Sequence, residues 1–380
     1  GRPPVERLQN PNEKEKFSYY SLNPSLGVSW QAKPSLNIFG NVARGTRTPS
    51  VIELGCAFDD TPIYNTYTGE YIGPKSLIEG RSCSMPTTLS GDPYLPQIKA
   101  TSFDLGLRGQ WGENAVWNLG IYRTNLKDDI YMIGYPGNRN FFDTIGKTRR
   151  EGLEAGISGA FDKWDISLNY SMTKATFEDE FNMPANDNSS SFEDFIGNYE
   201  FSRLITVKPG DRMPGVPMHN LNATVSYKVT PKWKVGLSAV AHSSSYVRGN
   251  ENNKHRAGDI IYESIKNPVT GPGQPQFVQY PRGRTNNPGT VDGFMVFNFM
   301  TSYQLAPEWS LSLQVNNLFN KEYFTAGRLG VNPFAPSVQG AVSVSGYNHN
   351  SLDWINTNFL APGAPRAAWI SLSYEFDPNK

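Results

Sequence analysis

Phe161-Asp-Lys-Trp164-Asp-Ile-Ser-Leu-Asn-Tyr-Ser-Met172 turns within two residues and then alternates strictly. Ile166, Leu168, Tyr170 and Met172 share one face of an extended strand, while Asp165, Ser167, Asn169 and Ser171 share the other. Leu221 to Val229 and Trp309 to Asn316 repeat the pattern. The turn recurs as Trp30-Gln-Ala-Lys-Pro-Ser35, Trp111-Gly-Glu-Asn-Ala-Val-Trp117, Val229-Thr-Pro-Lys-Trp233 and Leu305-Ala-Pro-Glu-Trp309. Six of the 8 Trp residues therefore lie beside short turns, where an indole can bury its body in hydrocarbon and keep its N–H wet. This is the sequence pattern of one rim of a transmembrane β-barrel.

Composition agrees with an all-β chain. The 380 residues are 38% hydrophobic and 13% aromatic, with 35 Gly and 28 Pro. No run approaches the ~18 apolar residues of a spanning helix, and a mildly hydrophilic average suits barrel strands, which are apolar on alternate residues only. Lys plus Arg and Asp plus Glu are both 35, so nothing points to nucleic acid. There is no signal-peptide pattern at Gly1.

The same reading gives eleven strands, over 17–31, 36–47, 98–111, 116–132, 148–161, 164–177, 219–229, 233–247, 293–305, 309–323 and 366–376. Five of their connections are the short turns. The other five are long: 48–97, 133–147, 178–218, 248–292 and 324–365. A soluble sandwich would not segregate short and long connections to opposite ends; an outer-membrane barrel does. An odd strand number cannot close an antiparallel barrel without an edge. The expectation is an open sheet whose strands at 17–31 and 366–376 do not pair with each other, forming the C-terminal part of a larger barrel.

Six phrases in order carry a family resemblance. They are Asn41-Val-Ala-Arg-Gly-Thr-Arg-Thr-Pro-Ser-Val-Ile-Glu-Leu54, Ala100-Thr-Ser-Phe-Asp-Leu-Gly-Leu-Arg108, Gly152-Leu-Glu-Ala155, Pro214-Gly-Val-Pro-Met-His219, Val315-Asn-Asn-Leu-Phe-Asn-Lys-Glu-Tyr323 and Pro362-Gly-Ala-Pro-Arg366 before a strand ending at Phe376. Together they resemble the TonB-dependent outer-membrane receptors. Arg44, Arg47, Pro49 and Glu53 belong to the first phrase; Asp104 stands where the family more usually has Glu, and Asp377 to Lys380 extend past the usual aromatic end. The resemblance implies a 22-stranded barrel around an N-terminal plug, of which 1–380 is half of the barrel, the plug not being in this chain. It implies a location in the outer membrane of a Gram-negative bacterium, contact with outer-membrane lipid, the plug domain and the inner-membrane TonB energy complex, and no enzymatic activity. The cargo it implies is a ferric siderophore or similar metal chelate, with no covalently bound cofactor and no resident metal. A corrinoid or another scarce nutrient, and a passive porin, are the alternatives. An outer-membrane hydrolase would need a Ser, His and acid cluster, and no such motif appears.

Cys56 and Cys83 fall in the first long loop and are the only cysteines. On a cell surface a disulfide between them is expected, worth roughly 3–4 kcal/mol on the loop-closure model. The long loops interleave aromatic residues with Arg: Tyr64, Tyr67, Tyr71 and Arg81; Arg139 and Phe141; Tyr246 and Arg248; Tyr280 and Arg282; Phe334, Tyr347 and Trp354. Guanidinium groups attract an anionic chelate and rings pack on its apolar parts, so ligand-binding residues are expected among Tyr64, Arg81, Arg139, Phe141, Tyr246, Arg248, Arg282 and Trp354. Equally, large loops folded over one another use aromatic packing and ion pairs simply to stay ordered. The four His residues are scattered, and none lies in 48–97, which disfavours haem as cargo.

Overall fold

The computed structural model describes residues 17–79, 94–135, 139–196, 200–266, 277–336, 340, 342–350 and 353–376. Its frame is one antiparallel sheet of eleven strands paired in chain order. These are β1 (Ser25–Lys33), β2 (Leu36–Arg47), β3 (Ile98–Trp111), β4 (Ala115–Lys127), β5 (Thr148–Phe161), β6 (Trp164–Phe177), β7 (His219–Thr230), β8 (Trp233–His242), β9 (Phe294–Ala306), β10 (Trp309–Asn316) and β11 (Ala367–Tyr374). Among the described residues β1 pairs only with β2 and β11 only with β10, so the sheet is open, as its strand count requires.

Register assigns the faces. Trp164 opposes Tyr227, Ile166 opposes Val225 and Leu168 opposes both Ala223 and Ile157, so apolar residues run across neighbouring strands in rows. The polar rows between them are cross-linked by side chains. Ser102 bonds Thr124 at 2.9 Å, Asn37 Nδ2 donates to Ser29 Oγ at 3.0 Å, and Asp165 bridges Lys234 at 2.7 Å. Gly106 lies under the Phe39 ring, whose Cζ would come within 2.3 Å of an added Cβ, and Arg108 stacks on the same ring at 5.5 Å.

Each of the three short turns that contain Pro is preceded by a bulge: between Gln31 and Lys33, Lys228 and Thr230, and Gln304 and Ala306. Pro has no N–H for the ladder, so pairing slips there by one residue. The Asp162-Lys163 turn keeps register instead, with Asp162 at φ 51°.

Four wall strands are shorter than the sequence suggests; the one expected over 233–247 ends at His242, and Ser245–Tyr246 pair instead with Thr290–Val291. The strand expected from residue 17 begins after Pro24, at Ser25. The one expected over 116–132 stops at Lys127, because Asp128 turns to φ 58° and Asp129 is buried accepting from Thr148 Oγ1 at 2.6 Å. The one expected to reach 323 ends at Asn316: Asn317, at φ 48°, donates from Nδ2 to the carbonyls of Lys321 (2.8 Å) and Ala364 (3.1 Å). The Asn-Asn-Leu-Phe-Asn phrase is thus a side-chain clip that holds the approach to β11.

The long connections, expected as loops, fold into small sheets of their own. They include Ile130–Tyr135 with Arg139–Thr144, Phe181–Pro184 and Phe192–Ile196 on either side of Glu200–Val207, Ile260–Lys266 with Phe277–Arg284, and Phe324–Asn332 with Ile355–Pro362. A buried apolar cluster lies here rather than on the wall: Ile133, Ile145, Phe177, Met183, Ile205 and Val207, with Tyr131 and Phe181 packed against it. The wall leaves large side chains exposed on its apolar face, including Leu105, Ile121 and Ile370.

Candidate functional site

At the long-loop end, the Arg-Thr-Pro-Ser phrase builds a brace. Pro49 is buried and Ser50 caps a short helix, Val51–Gly55, in a capping box with Glu53. Arg47 grips Glu53 with two bonds of 2.7 and 2.8 Å. Those bonds, aided by the Ser50 amide, hold the Glu53 carboxyl down at about 2. The brace ties the end of β2 to the first loop.

At the same end of the wall, four loops enclose a cavity of about 710 Å³. Met132, Tyr135 and Asn140 come from one hairpin, Pro184 to Asn188 from the next loop, Arg248, Gly249 and Glu251 from a third, and Arg328, Leu329 and Val331 from a fourth hairpin whose own connection supplies Tyr347 and Trp354. Arg248 stacks on Tyr131 at 5.0 Å and donates to the Met132 carbonyl, while its exposed side chain still borders the cavity. Arg328 is exposed and has no carboxylate partner among the described residues. The ring of Trp354 meets Tyr347 edge-on at 5.9 Å, and its Nε1 donates to the Asn348 carbonyl at 2.8 Å. Two guanidinium groups, amide side chains and three rings around one space, beside the carboxyl groups of Asp187 and Glu251, suit a bulky anionic ligand with planar parts.

The run Gly249-Asn-Glu-Asn-Asn-Lys-His255 holds this cavity in shape. Asn188, fully buried, donates to the Gly249 carbonyl at 2.8 Å and to Asn252 Oδ1 at 3.2 Å. Asn250 Nδ2 donates to the Gly289 carbonyl at 3.0 Å. His255 Nδ1 accepts from the Ser189 amide at 2.9 Å, so Nε2 carries the proton it gives to the Asn287 carbonyl at 3.1 Å; burial lowers its pKa and favours that neutral form. Glu251 is also fully buried. Its Oε1 accepts from Tyr131 Oη and the Gly249 amide, both at 3.2 Å, while Oε2 has no partner among the described residues, and burial raises the carboxyl's pKa.

Of the residues expected to bind ligand, Arg248 and Trp354 border this cavity. Arg139 lies beside it, reaching the Leu77 carbonyl at 3.4 Å. Phe141 is fully buried against Phe58 and Tyr135, a packing position. Tyr246 lies under Arg212 at 5.4 Å, and Tyr64, exposed, meets Tyr71 at 5.9 Å; neither borders the cavity. Cys56 is buried at the end of the short helix. Arg81, Cys83 and the side chain of Arg282 lie outside the described residues. Arg328, Glu251 and Asn188 were not picked out from the sequence. Arg328 carries no such signal either, since the apolar parity switches between Phe324, Ala326 and Leu329, Val331 around it; Glu251 sits in a polar run that reads as exposed loop.

The family profile described as TonB dependent receptor-like, beta-barrel matches residues 5–318. The probable TonB-dependent siderophore receptor PiuA of Acinetobacter baumannii is 23% identical over 302 residues, 78% of this chain and 33% of its own length. The chain thus spans about a third of the curated relative it matches. Among solved structures, the ferric yersiniabactin uptake receptor FyuA from Yersinia pestis aligns with a TM-score of 0.52 at 14% identity, over 93% of this chain and 37% of that one. The copper transporter OprC aligns with a TM-score of 0.52 at 14% identity, over 93% and 38%. At such identities the likeness is one of fold.

Proposed function

Because the chain belongs to the TonB-dependent receptor β-barrel family, a family of outer-membrane transport receptors rather than enzymes, we propose that it is the C-terminal part of a receptor for energised uptake of a ferric siderophore or similar metal chelate. On this reading the polar face of the sheet lines a lumen occupied by a plug, the apolar face meets outer-membrane lipid, and the plug-bearing part engages the TonB energy complex. The observation that carries the cargo is the loop cavity. Arg248 and Arg328 supply positive charge to it, and Tyr347 and Trp354 supply ring faces and edges. The siderophore reading of the PiuA relative supports the same class.

The likeness to OprC makes a copper species the second reading, since the same fold carries both kinds of cargo. Uptake of radiolabelled ferric chelates and of copper by cells whose only such receptor is the intact protein separates the two. With the right cargo, Arg328→Ala should raise the half-saturating concentration about tenfold with little change in maximal rate, the cost of one charge-assisted contact. Unchanged half-saturation for every transported chelate would remove the cavity from the binding path. We also propose that Cys56 and Cys83 are bonded, tying the first loop beside this site.

A further inference from the structure

Register also exposes an imbalance of charge on the apolar face. Leu26, Val42, Phe103, Arg123, Glu151 and Lys174 form one cross-strand row. The next row toward the long loops holds Arg44, Thr101, Asn125, Arg149 and Thr176, and the one after it Thr46, Lys99 and Lys127. Six cations thus stand on this face of β2–β6 against one wall carboxylate, Glu151. Arg123 bonds Glu151 at 2.8 Å, and Arg149 reaches Glu178 at 3.0 Å. Arg44, Lys99, Lys127 and Lys174 are exposed and have no acidic partner among the described residues.

Two contrasts make this a local feature rather than a general girdle. The apolar face of β7–β11 carries no Lys or Arg: its long-loop ends are His219, Ala241, Met295, Val315 and Ala368. On the polar face, by comparison, four cations are matched, Arg47 on Glu53, Arg150 on Asp129, and Lys228 and Lys234 on Asp165, while Arg108 donates to Asn37 and stacks on Phe39. Lys99 and Lys127 stand directly opposite each other, a pairing that costs stability unless an anion lies between them.

Immediately below the cations is a groove of about 800 Å³, floored by apolar residues such as Val28, Val42, Phe103, Leu105, Ile121 and Leu153, and closed at its upper end by Arg123, Glu151 and Lys174, the carboxylate being held by Arg123. We propose that this groove holds acyl chains of one lipid that carries several chains and more than one phosphate, the phosphates resting on Lys99, Lys127, Lys174 and Arg44. The cations extend over four strand spacings and two side-chain rows, about 19 Å by 14 Å, which is wider than a single phosphate can bridge. Lys stems lie along apolar surface while their ammonium groups reach the headgroup level. Such a lipid would be a structural partner on the outside of the wall, distinct from the cargo cavity among the loops.

The inference rests on the proposal that the apolar face meets lipid, and the test separates the two. The intact protein is reconstituted in nanodiscs of phosphatidylethanolamine alone, with phosphatidylglycerol, or with a hexa-acyl, bis-phosphorylated glucosamine disaccharide, and retained lipid is counted by native mass spectrometry after detergent transfer. Wild type should hold one bis-phosphorylated lipid in preference to the others. K99Q/K127Q/K174Q should weaken retention about a hundredfold, at roughly fivefold per lysine, and K99R/K127R/K174R should restore it. Equal retention of phosphatidylglycerol or of the dephosphorylated disaccharide, or retention indifferent to the Gln changes, overturns the site. In the same nanodiscs, brominated acyl chains should quench a fluorophore at position 168 and spare one at 169. Failure of that quenching would instead overturn the orientation of the wall.

Discussion

Replacing Glu251 by Gln isolates the one buried carboxyl oxygen that the loop cavity leaves unmatched. Glu251 Oε2 has no partner among the described residues, and the whole side chain is buried. Burial raises its pKa more than the nearby Arg248 guanidinium and the Gly249 and Tyr131 bonds lower it. The native state therefore holds this proton more tightly than the unfolded chain does. Its stabilising contribution is full below the ordinary Glu range and is lost as pH rises through the raised native value. Gln carries no such proton and keeps an acceptor for Tyr131 and the Gly249 amide. Above the native titration, E251Q should protect the cavity by about 1–3 kcal/mol relative to wild type, the cost of an ionised or unsatisfied buried group. Below it the two should converge. Hydrogen exchange of peptides covering 245–256 in the intact protein, compared at matched pH from about 5 to about 8, reads this difference. A wild-type to E251Q ratio that does not change with pH, or uniformly lower protection in E251Q, would show that the carboxylate is ionised and satisfied and would refute the argument.

Three further outcomes follow from local geometry. Gly152→Ala would place a Cβ 2.0 Å from the Met172 carbonyl oxygen and 3.0 Å from the Tyr122 hydroxyl, so β5 and β6 must separate; a loss of about 1–3 kcal/mol in the urea midpoint is expected, and an unchanged midpoint would mean that the ladder absorbs the shift freely. Glu53→Gln should remove a contribution present above the ordinary Glu value and lost as pH falls toward about 2, seen as faster exchange in 50–56 at neutral pH than in wild type, with the two alike in acid. Unreduced, denatured protein should take up no alkylating label at Cys56 or Cys83; labelling of either shows that they are not joined.

The wall was legible because two independent signals agree on it. Alternation bounds β3, β5 and β6 to the residue, since turn residues such as Gly112 and Asp162 follow directly on the last paired position. The loops gave no comparable signal. Ile130 to Tyr135 is a β-prone apolar run as well, and only the backbone reversal at Asp128 and the burial of Asp129 separate it from β4. His255, in a polar stretch that suggests solvent, is buried because Ser189 and Asn287 satisfy both ring nitrogens from segments far off in sequence. The cavity is harder still to foresee. Its residues run from Met132 to Trp354 across four loops, so no spacing motif records it. Arg248 and Trp354 were chosen on chemistry alone, and the same rule chose Phe141, which packs inside the loop cluster.

This division has a physical origin. A strand that separates two environments must satisfy both at every residue, so its sequence repeats with period two whatever the protein carries. FyuA and OprC can therefore share this wall while their names speak of different metals. Loops at the end of the wall face each other instead. They can bury apolar side chains, as Met183 and Ile205 do, or bury polar chains in mutual hydrogen bonds, as Asn188, Asn250 and His255 do, provided each group finds a partner. Such networks tolerate few changes inside but leave residues at the cavity edge, Arg328 among them, free to vary in charge and size. On the proposed reading, selectivity for cargo is a property of that edge. Exchanging Arg328, Tyr347 and Trp354 should alter which chelate is taken up without disturbing the wall, whereas substitutions in the Gly249 to His255 run should weaken binding of every chelate together.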